Sequence, residues 1–303
     1  MLKAAIEPIL MQSTHRSQPE FDLGNDRANR RARHLANLAV AALIAEAELT
    51  PKPALVDERG SGVHTDLSLA LMRRSARSLR GCFELMALVS FRQVPNQSLR
   101  EELGAIGRSA ERSMLSATEG VNTHRGAIWA LGLLVSAAAL GSDSATVVAD
   151  RAAQIARLPD RNAPTEESHG RRVVRRYQVS GARGEARAGF PHVIRQALPM
   201  LYHSRRQGAA ERYARINALL AIMRSLDDTC LLHRGGWTAL NAAQRGAAAA
   251  TAAGGSSTVR GWKLLQKLDR DLTVLNASPG GSADLLASTL FLDFLSDCHS
   301  TIR

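Results

Sequence analysis

The chain reads as all-α, a single large multi-helix domain whose Gly-rich polar loops form the active site. Three observations predict this. Apolar residues recur at three- and four-residue spacings along most of the 303 residues, runs of β-branched alternation are few, and long Ala/Leu-rich stretches are divided by elaborate polar islands. A chain of this length buries one substantial core, and 45% hydrophobic with 22% charged residues fits a soluble globular protein.

Residues 1–28 are polar and mixed, including Ser13-Thr14-His15-Arg16-Ser17-Gln18-Pro19, and are expected to be a flexible arm ahead of an all-α catalytic domain over 29–303. Helical periodicity starts near Asn29 and runs to Glu48 through Ala32, Leu35, Leu38, Ala39, Ala42, Leu43 and Ala47, and Pro51 and Pro53 end it. Similar patterns predict helices over about 66–92, 98–118, 124–140, 143–157, 168–177, 191–206, 209–226, 237–252, 257–275 and 282–298. Small residues such as Gly104, Gly107, Gly132, Gly246 and the Ala247–Ala253 run mark close helix packing, whereas Gly254-Gly255-Ser256-Ser257 reads as a surface loop. Residues 159–170, with Pro159, Pro164 and Glu166-Glu167, read as an exposed insertion, and no fixed-period repeat is present.

Composition narrows the function. No apolar run reaches the roughly 18 residues of a membrane span, and Glu7 and Pro8 interrupt the start where a secretory core would lie, so a cytoplasmic location without membrane contact is expected. Cys82, Cys230 and Cys298 are odd in number, widely spaced and set in apolar helical patterns, which suits buried reduced thiols. A net charge of +11 raises nucleic acid as a partner, yet aromatics are only 4% and no basic stretch alternates with stacking residues. Lysine occurs only at Lys3, Lys52, Lys263 and Lys267, so the positive charge is almost wholly Arg, whose planar fork suits phosphate. A polyanionic small molecule is the more economical partner.

The islands supply the chemistry. Ser278-Pro279-Gly280-Gly281-Ser282-Ala283-Asp284 joins a Gly-rich turn to a helix start, where backbone N–H groups face an anion and Asp284 holds a cation shared with it; an ordinary loop with an N-cap has the same composition. The others are Thr50–Asp57 continuing to Asp66, Gly120–Ala127, Gly181–Ala186 with Gly189-Phe190-Pro191, and Asp227-Asp228-Thr229 with His233-Arg234-Gly235-Gly236. Adjacent Asp227 and Asp228 repel unless a divalent cation neutralises them or solvent screens them at a helix end. The Arg171, Arg172, Arg175, Arg176 cluster lies outside the islands and reads as a solvated face or a contact for an acidic partner.

Taken in order, T-P-K-P-A-L-V-D from Thr50, G-V-N-T-H-R-G-A-I from Gly120, G-A-R-G-E-A from Gly181, D-D-T from Asp227 and S-P-G-G-S-A-D-L-L-A from Ser278 resemble the triphosphoribosyl-dephospho-coenzyme A synthase family. That family makes the prosthetic-group precursor for malonate decarboxylase and citrate lyase. The likeness spans about residues 50–293, with two departures: Ala54 where the family commonly has Gly, which disfavours a positive φ at that turn, and Arg125 where it commonly has Lys. The resemblance implies transfer of the triphosphoribosyl unit of ATP to the 2′-hydroxyl of 3′-dephospho-CoA, with adenine released, Mg2+ as cofactor, and the product passed on toward an acyl carrier protein. It leaves a homo-oligomer open.

Residue by residue, the resemblance implies His64, Glu185 and Asp228 as catalytic, with His64 the acid toward adenine and Glu185 the activator of the acceptor hydroxyl or a metal neighbour. It implies Asp66, Asp227, Asp228 and Asp284 as metal ligands. Lys52, Asn122, His124, Arg125, Arg183, Arg234, Gly280, Gly281 and Ser282 are expected around the phosphates. A single displacement at the sugar inverts its anomeric centre without a covalent glycosyl-enzyme. The alternatives are a magnesium-dependent all-α hydrolase of a nucleotide or ADP-ribose-like substrate, and a protein that binds a coenzyme without turnover.

Overall fold

An apolar stripe explains the first element of the computed structural model, which describes residues 18–164 and 169–297. Helix α1 (Gln18–Glu48) buries Ala32, Leu35, Ala36, Ala39, Ala42, Leu43 and Ala47 on one side, the spacing of a single helical face. It starts at Gln18 rather than Asn29, and residues 1–17 of the expected arm lie outside the described residues. Among the described residues the architecture is all-α, with only an isolated bridge between Asp57 and Gly60 outside helices and turns.

The pattern over 66–92 is two helices, α2 (Leu69–Ser78) and α3 (Arg80–Ser90). They part at Leu79, where the N–H turns back to Ala76 O in a tightened last turn. Ser68 Oγ caps α2 by accepting the Leu71 N–H, and Asn96 Oδ1 does the same for Leu99 at the start of α4 (Gln97–Ala117). Helix α5 (Arg125–Ala139) is buried along nearly its whole length, with α1, α3, α4, α6 (Ala145–Arg157), α8 (Gly181–Arg187) and α13 (Gly280–Asp297) around it. Its Ala, Gly and Ser residues let neighbours come close; a side chain at Gly132 would meet Met86 Sδ at 2.9 Å.

The stretch expected as an exposed insertion is partly a structural joint: Asp160 is buried and accepts from Arg108 Nη1 at 2.8 Å. Residues 165–168 of it lie outside the described residues. Beyond α7 (His169–Tyr177), the Gly181–Ala186 segment expected as a Gly turn is the helix α8, because Ala182, Arg183, Glu185 and Ala186 outweigh its glycines. A widened π turn (Val193–Ala197) leads into α9 (Leu198–Arg206), just ahead of Pro199, which has no N–H to donate.

Helix α10 (Glu211–Met223) is central to the second half, and α11 (Thr229–Ala252) folds back on α12 (Val259–Val274). The 253–258 connection between them is pinned rather than loose: Asn217 Oδ1 accepts the Ser256 N–H at 2.8 Å and its Oγ–H at 2.9 Å. Helix α11 begins earlier than the expected 237 and breaks at Gly236, whose φ of 60° and ψ of −156° only glycine adopts readily. Cys82 and Cys230 are unpaired and half-buried, and Cys298 lies outside the described residues. One hydrophobic cluster draws on all these helices. Among the described residues no helix is long and apolar enough to cross a membrane.

At the end of the molecule formed by α9, α10 and α13, Arg205 makes paired 2.7 Å bonds to the fully buried carboxylate of Asp293 and also holds Glu211 at 2.7 and 2.9 Å. These hydrogen bonds raise the Arg205 pKa and lower that of Glu211, so both are charged at neutral pH. Arg205→Met strands the Asp293 carboxylate in the core and is expected to cost about 3–5 kcal/mol in urea unfolding; a loss below about 1 kcal/mol would contradict this reading of the pair.

Candidate active site

The loop after α1 is wired to itself. Lys52 is almost fully buried and gives its ammonium to Glu46, at 2.6 Å to the carbonyl and 2.6 Å to Oε1. A charge taken out of water needs such a partner, so Lys52 holds a carboxylate in place and does not face a phosphate as expected. Its backbone N–H meets Asp57 Oδ2 at 2.8 Å, Asp57 grips Arg59, and Arg59 reaches Asp269 on α12 at 2.7 Å. Asp269 also accepts the Ala54 N–H at 2.8 Å, and Ala54 does adopt the left-handed backbone that its side chain disfavours, with φ of 57°.

Helix α5 begins in the second island. Asn122, exposed, accepts the Arg125 N–H at 3.2 Å, and Arg125 pairs with Glu111 on α4 at 3.1 Å. These contacts start the helix; neither residue is held toward the other islands. His124 is buried with Nδ1 2.7 Å from Ser75 Oγ, which in turn lies 2.5 Å from Thr123 Oγ1, while Nε2 has no partner. Burial, reinforced by the Lys52 charge, pushes the imidazole down to about 3, so the ring is neutral. His124, expected near the phosphates, is thus held by Ser75 at the start of α5 as a neutral ring.

Asp284 reaches across to this helix start. Its carboxylate accepts from the Ala127 N–H and lies so close to Gly126 that a side chain there would sit 1.9 Å from Oδ2. Burial, then the charges of Glu46 and Asp228, push the Asp284 carboxyl well above the ordinary carboxylate range. Asp284 and Glu46 thus form an acidic floor between α1, α5 and α13.

Asp228 is different from its expected role. Buried at the start of α11, its Oδ1 accepts from the N–H groups of Cys230 at 2.9 Å, Leu231 at 3.4 Å and Gly281 at 3.2 Å. Its Oδ2 accepts from the Ser282 N–H at 2.7 Å and the Ser282 Oγ–H at 2.9 Å. These bonds fill the acceptor directions of Asp228, expected as a metal ligand and catalytic group, and use it to join the starts of α11 and α13. The amides of Gly281 and Ser282, expected to cradle phosphate, already hold an anion: this internal carboxylate. Gly280 and Gly281 are needed for the approach, since a side chain would come within 2.9 Å of Cys230 Sγ or 3.0 Å of Asp228 Oδ1. Burial raises the Asp228 carboxyl even against these hydrogen bonds, and burial next to Asp228 and Asp284 also raises the Cys230 thiol.

A rim is formed by three further groups, of which Arg234 and Asp66 are exposed and His64 is half-buried. Arg234 Nη2 lies 3.1 Å from His64 Nδ1, and Asp66 Oδ1 is 4.0 Å from the same nitrogen. Guanidinium only donates, so His64 Nδ1 accepts and a neutral ring carries its proton on Nε2. Burial, then the charge of Arg234, lowers the His64 pKa, which favours the neutral ring with its N–H at Nε2. Arg234 is felt electrostatically at Cys230, which ties this rim to Asp228 and Asp284. Asp66 and Asp227 are exposed, and among the described residues no three His, Cys, Asp or Glu side chains gather as a metal cage.

Glu185, buried, is used to orient His192, accepting its N–H at 2.9 Å and facing its Nδ1 at 2.7 Å. Burial opposes charge on that ring, but the bond and charge of Glu185, with the Ser225 carbonyl and Asp227, raise its pKa. Glu185, expected to activate the acceptor hydroxyl or neighbour a metal, thus ties α8 to His192. Arg183 lies over the Trp129 ring of α5 at 5.7 Å. Glu46, Ser75 and His192 were missed from the sequence. Glu46 carries a signal there, since it stands three residues after Leu43 and seven after Ala39, on the buried stripe of α1.

A family model described as ATP:dephospho-CoA triphosphoribosyl transferase matches residues 32–302. A relative from Klebsiella pneumoniae, named 2-(5''-triphosphoribosyl)-3'-dephosphocoenzyme-A synthase, is 56% identical over 88% of this chain and 96% of its own. Relatives from Pseudomonas aeruginosa (strain UCBPP-PA14), 59% identical over 86% of this chain and 90% of theirs, and from Azotobacter vinelandii, 56% identical over 87% and 92%, carry the same name with the prefix "Probable". No solved structure matches the chain.

Gly126→Ala drives a methyl into Asp284 and is expected to cost about 1–3 kcal/mol by urea unfolding. Adding Asp284→Ala should relieve the clash, so the double variant is more stable than the sum of the two changes allows; strict additivity would show that the two residues do not touch. The depressed pKa of His124 means that the unfolded chain binds its proton more readily, so this group removes stability as pH falls from about 6.5 toward 3. Between pH 7 and 5 that amounts to about 2 kcal/mol, and His124→Gln should flatten the stability curve by that amount.

Proposed function

The chain belongs to the ATP:dephospho-CoA triphosphoribosyl transferase family, and from that premise we propose that it moves the triphosphoribosyl group of ATP to the 2′-hydroxyl of 3′-dephospho-CoA and releases adenine. The observation that carries the site assignment is the Asp284–Glu46 floor, two carboxylates enclosed between helices with a lysine fixing one of them. In the reaction the bond from the ribose anomeric carbon to adenine breaks, adenine keeps the electron pair and gains a proton, and the 2′-oxygen bonds to that carbon as it loses its own.

The donor set fits magnesium. Asp284 and Glu46 are hard oxygen donors in a place where burial first, and then the charge of Glu46, raises the Asp284 pKa, and a divalent cation would offset both. When bound there, magnesium supplies charge neutralisation for the triphosphate. Lys52 keeps Glu46 oriented, and Asp228 keeps α13, and with it Asp284, against α11. The carboxylates favour the positive charge that develops on the ribose at the transition state. His64, held by Arg234, offers its Nε2–H to a ring nitrogen of the departing adenine, while Arg234 adds positive charge beside the phosphates. Asp66 and Asp227 stand at the exposed rim and contribute to the field rather than to the cation.

The product serves as the prosthetic-group precursor of malonate decarboxylase, with citrate lyase the alternative destination; offering both carrier proteins in a coupled assay separates the two. The transfer itself is tested by incubating the protein with ATP, magnesium and 3′-dephospho-CoA while following free adenine and the mass of the coenzyme. Coupled adenine release and a triphosphoribosyl mass gain are expected, with both signals abolished by EDTA. Asp284→Asn should lower kcat by roughly a hundredfold or more. Adenine without the mass gain would replace this reading with hydrolysis, and tight coenzyme binding without turnover would replace it with a carrier.

A further inference from the structure

Arg100 of α4 and Arg183 of α8 both lie over the indole of Trp129, their guanidinium carbons 5.3 and 5.7 Å from the ring centroid. Two like charges on one ring repel, and the local balance does not neutralise them. The nearest acid to Arg100 is Asp160 at 3.8 Å, but Asp160 gives its closer contact, 2.8 Å, to Arg108. Arg100 is 6% exposed, and its Nε is buried without a hydrogen-bond partner. Arg183 is exposed and makes no hydrogen bond to an acidic side chain among the described residues. Burial lowers the pKa of both; at Arg100 the charge of Asp160 works against this and that of Arg108 adds to it, while at Arg183 the charges of Arg171, Arg100 and Arg187 add to it.

The arrangement is held from outside the arginines. Trp129 Nε1–H donates to Ala182 O at 3.2 Å, which ties the indole to α8 beside Arg183. Trp129 lies two residues past Ala127, whose N–H meets Asp284, so the cluster and the acidic floor both draw on the first turns of α5.

We propose that Arg100, Arg183 and Trp129 form a polyphosphate subsite, which takes either the triphosphate of ATP or the diphosphate of 3′-dephospho-CoA. A planar guanidinium matches phosphate oxygens in pairs, a buried Nε without a partner is an unused donor, and the indole fixes the approach of both forks. The identity of the ligands rests on the transfer reading; the need for an anion does not.

The test is calorimetric titration of the intact protein with inorganic tripolyphosphate, ATP and 3′-dephospho-CoA separately. Arg183→Gln, at an exposed position, and Arg100→Gln should each weaken tripolyphosphate binding by roughly tenfold or more, the value of a hydrogen bond to a charged group. Tripolyphosphate should also change the tryptophan emission of the wild type, and Trp129→Phe should remove that change although Trp237 and Trp262 remain. Matching losses for ATP alone assign the triphosphate, and losses for 3′-dephospho-CoA alone assign the diphosphate. Variants that bind all three as the wild type does, or a wild type that does not bind tripolyphosphate, would overturn the subsite. Binding is read without turnover, so failure here is distinct from absence of adenine transfer.

Discussion

One carboxylate holds the two halves of the site in register. Asp228 sits between the first turns of α11 and α13 and accepts from the backbones of both, so each helix end finds its anion inside the protein. The glycines at the start of α13 exist to let this happen, because any side chain there meets Cys230 or Asp228. Once α13 is set against α11, Asp284 in its first turns is carried to the start of α5, where Gly126 leaves it room. The position of the Asp284 carboxylate is therefore a consequence of the capping interaction at Asp228.

The same logic repeats with other partners. Lys52 holds Glu46, Glu185 holds His192, and Ser75 holds His124. Most enclosed charged groups are matched locally in this way, while a few buried donors, Arg100 Nε among them, are left without a partner. Unequal matching is the common feature of the acidic floor, where carboxylates exceed cations, and of the Trp129 cluster, where cations exceed carboxylates. Helix α5 contributes to both, through Ala127 to the first and Trp129 to the second.

Much of the fold was legible because Ala/Leu stripes at helical spacing are strong signals, and every expected helix has a counterpart. What escaped depended on single junctions: the break at Leu79, the widened turn before Pro199, and Gly236 inside α11. Glycines in Gly181–Ala186 suggested a turn, but four good helix formers decided the segment. In the site, residue type was readable and residue role was not. Asp228 beside Thr229 and an apolar run has the form of an N-cap, yet its second helix lies more than fifty residues on, so only the structure shows why its oxygens are full. Arg100 lies beside the apolar stripe of α4, and nothing local reveals Trp129 or Asp160 as its neighbours.

Burial of Lys52 reaches beyond the site. Of the four lysines, one is sealed against Glu46 and one, Lys3, lies outside the described residues, which leaves Lys263 and Lys267 on the exposed side of α12. Amine-directed reagents, whether fluorescent esters or resin-bound aldehydes, therefore meet a single helix face among the described residues. Attachment there gives immobilised molecules one orientation, a property usually engineered into a protein by replacing its surface lysines.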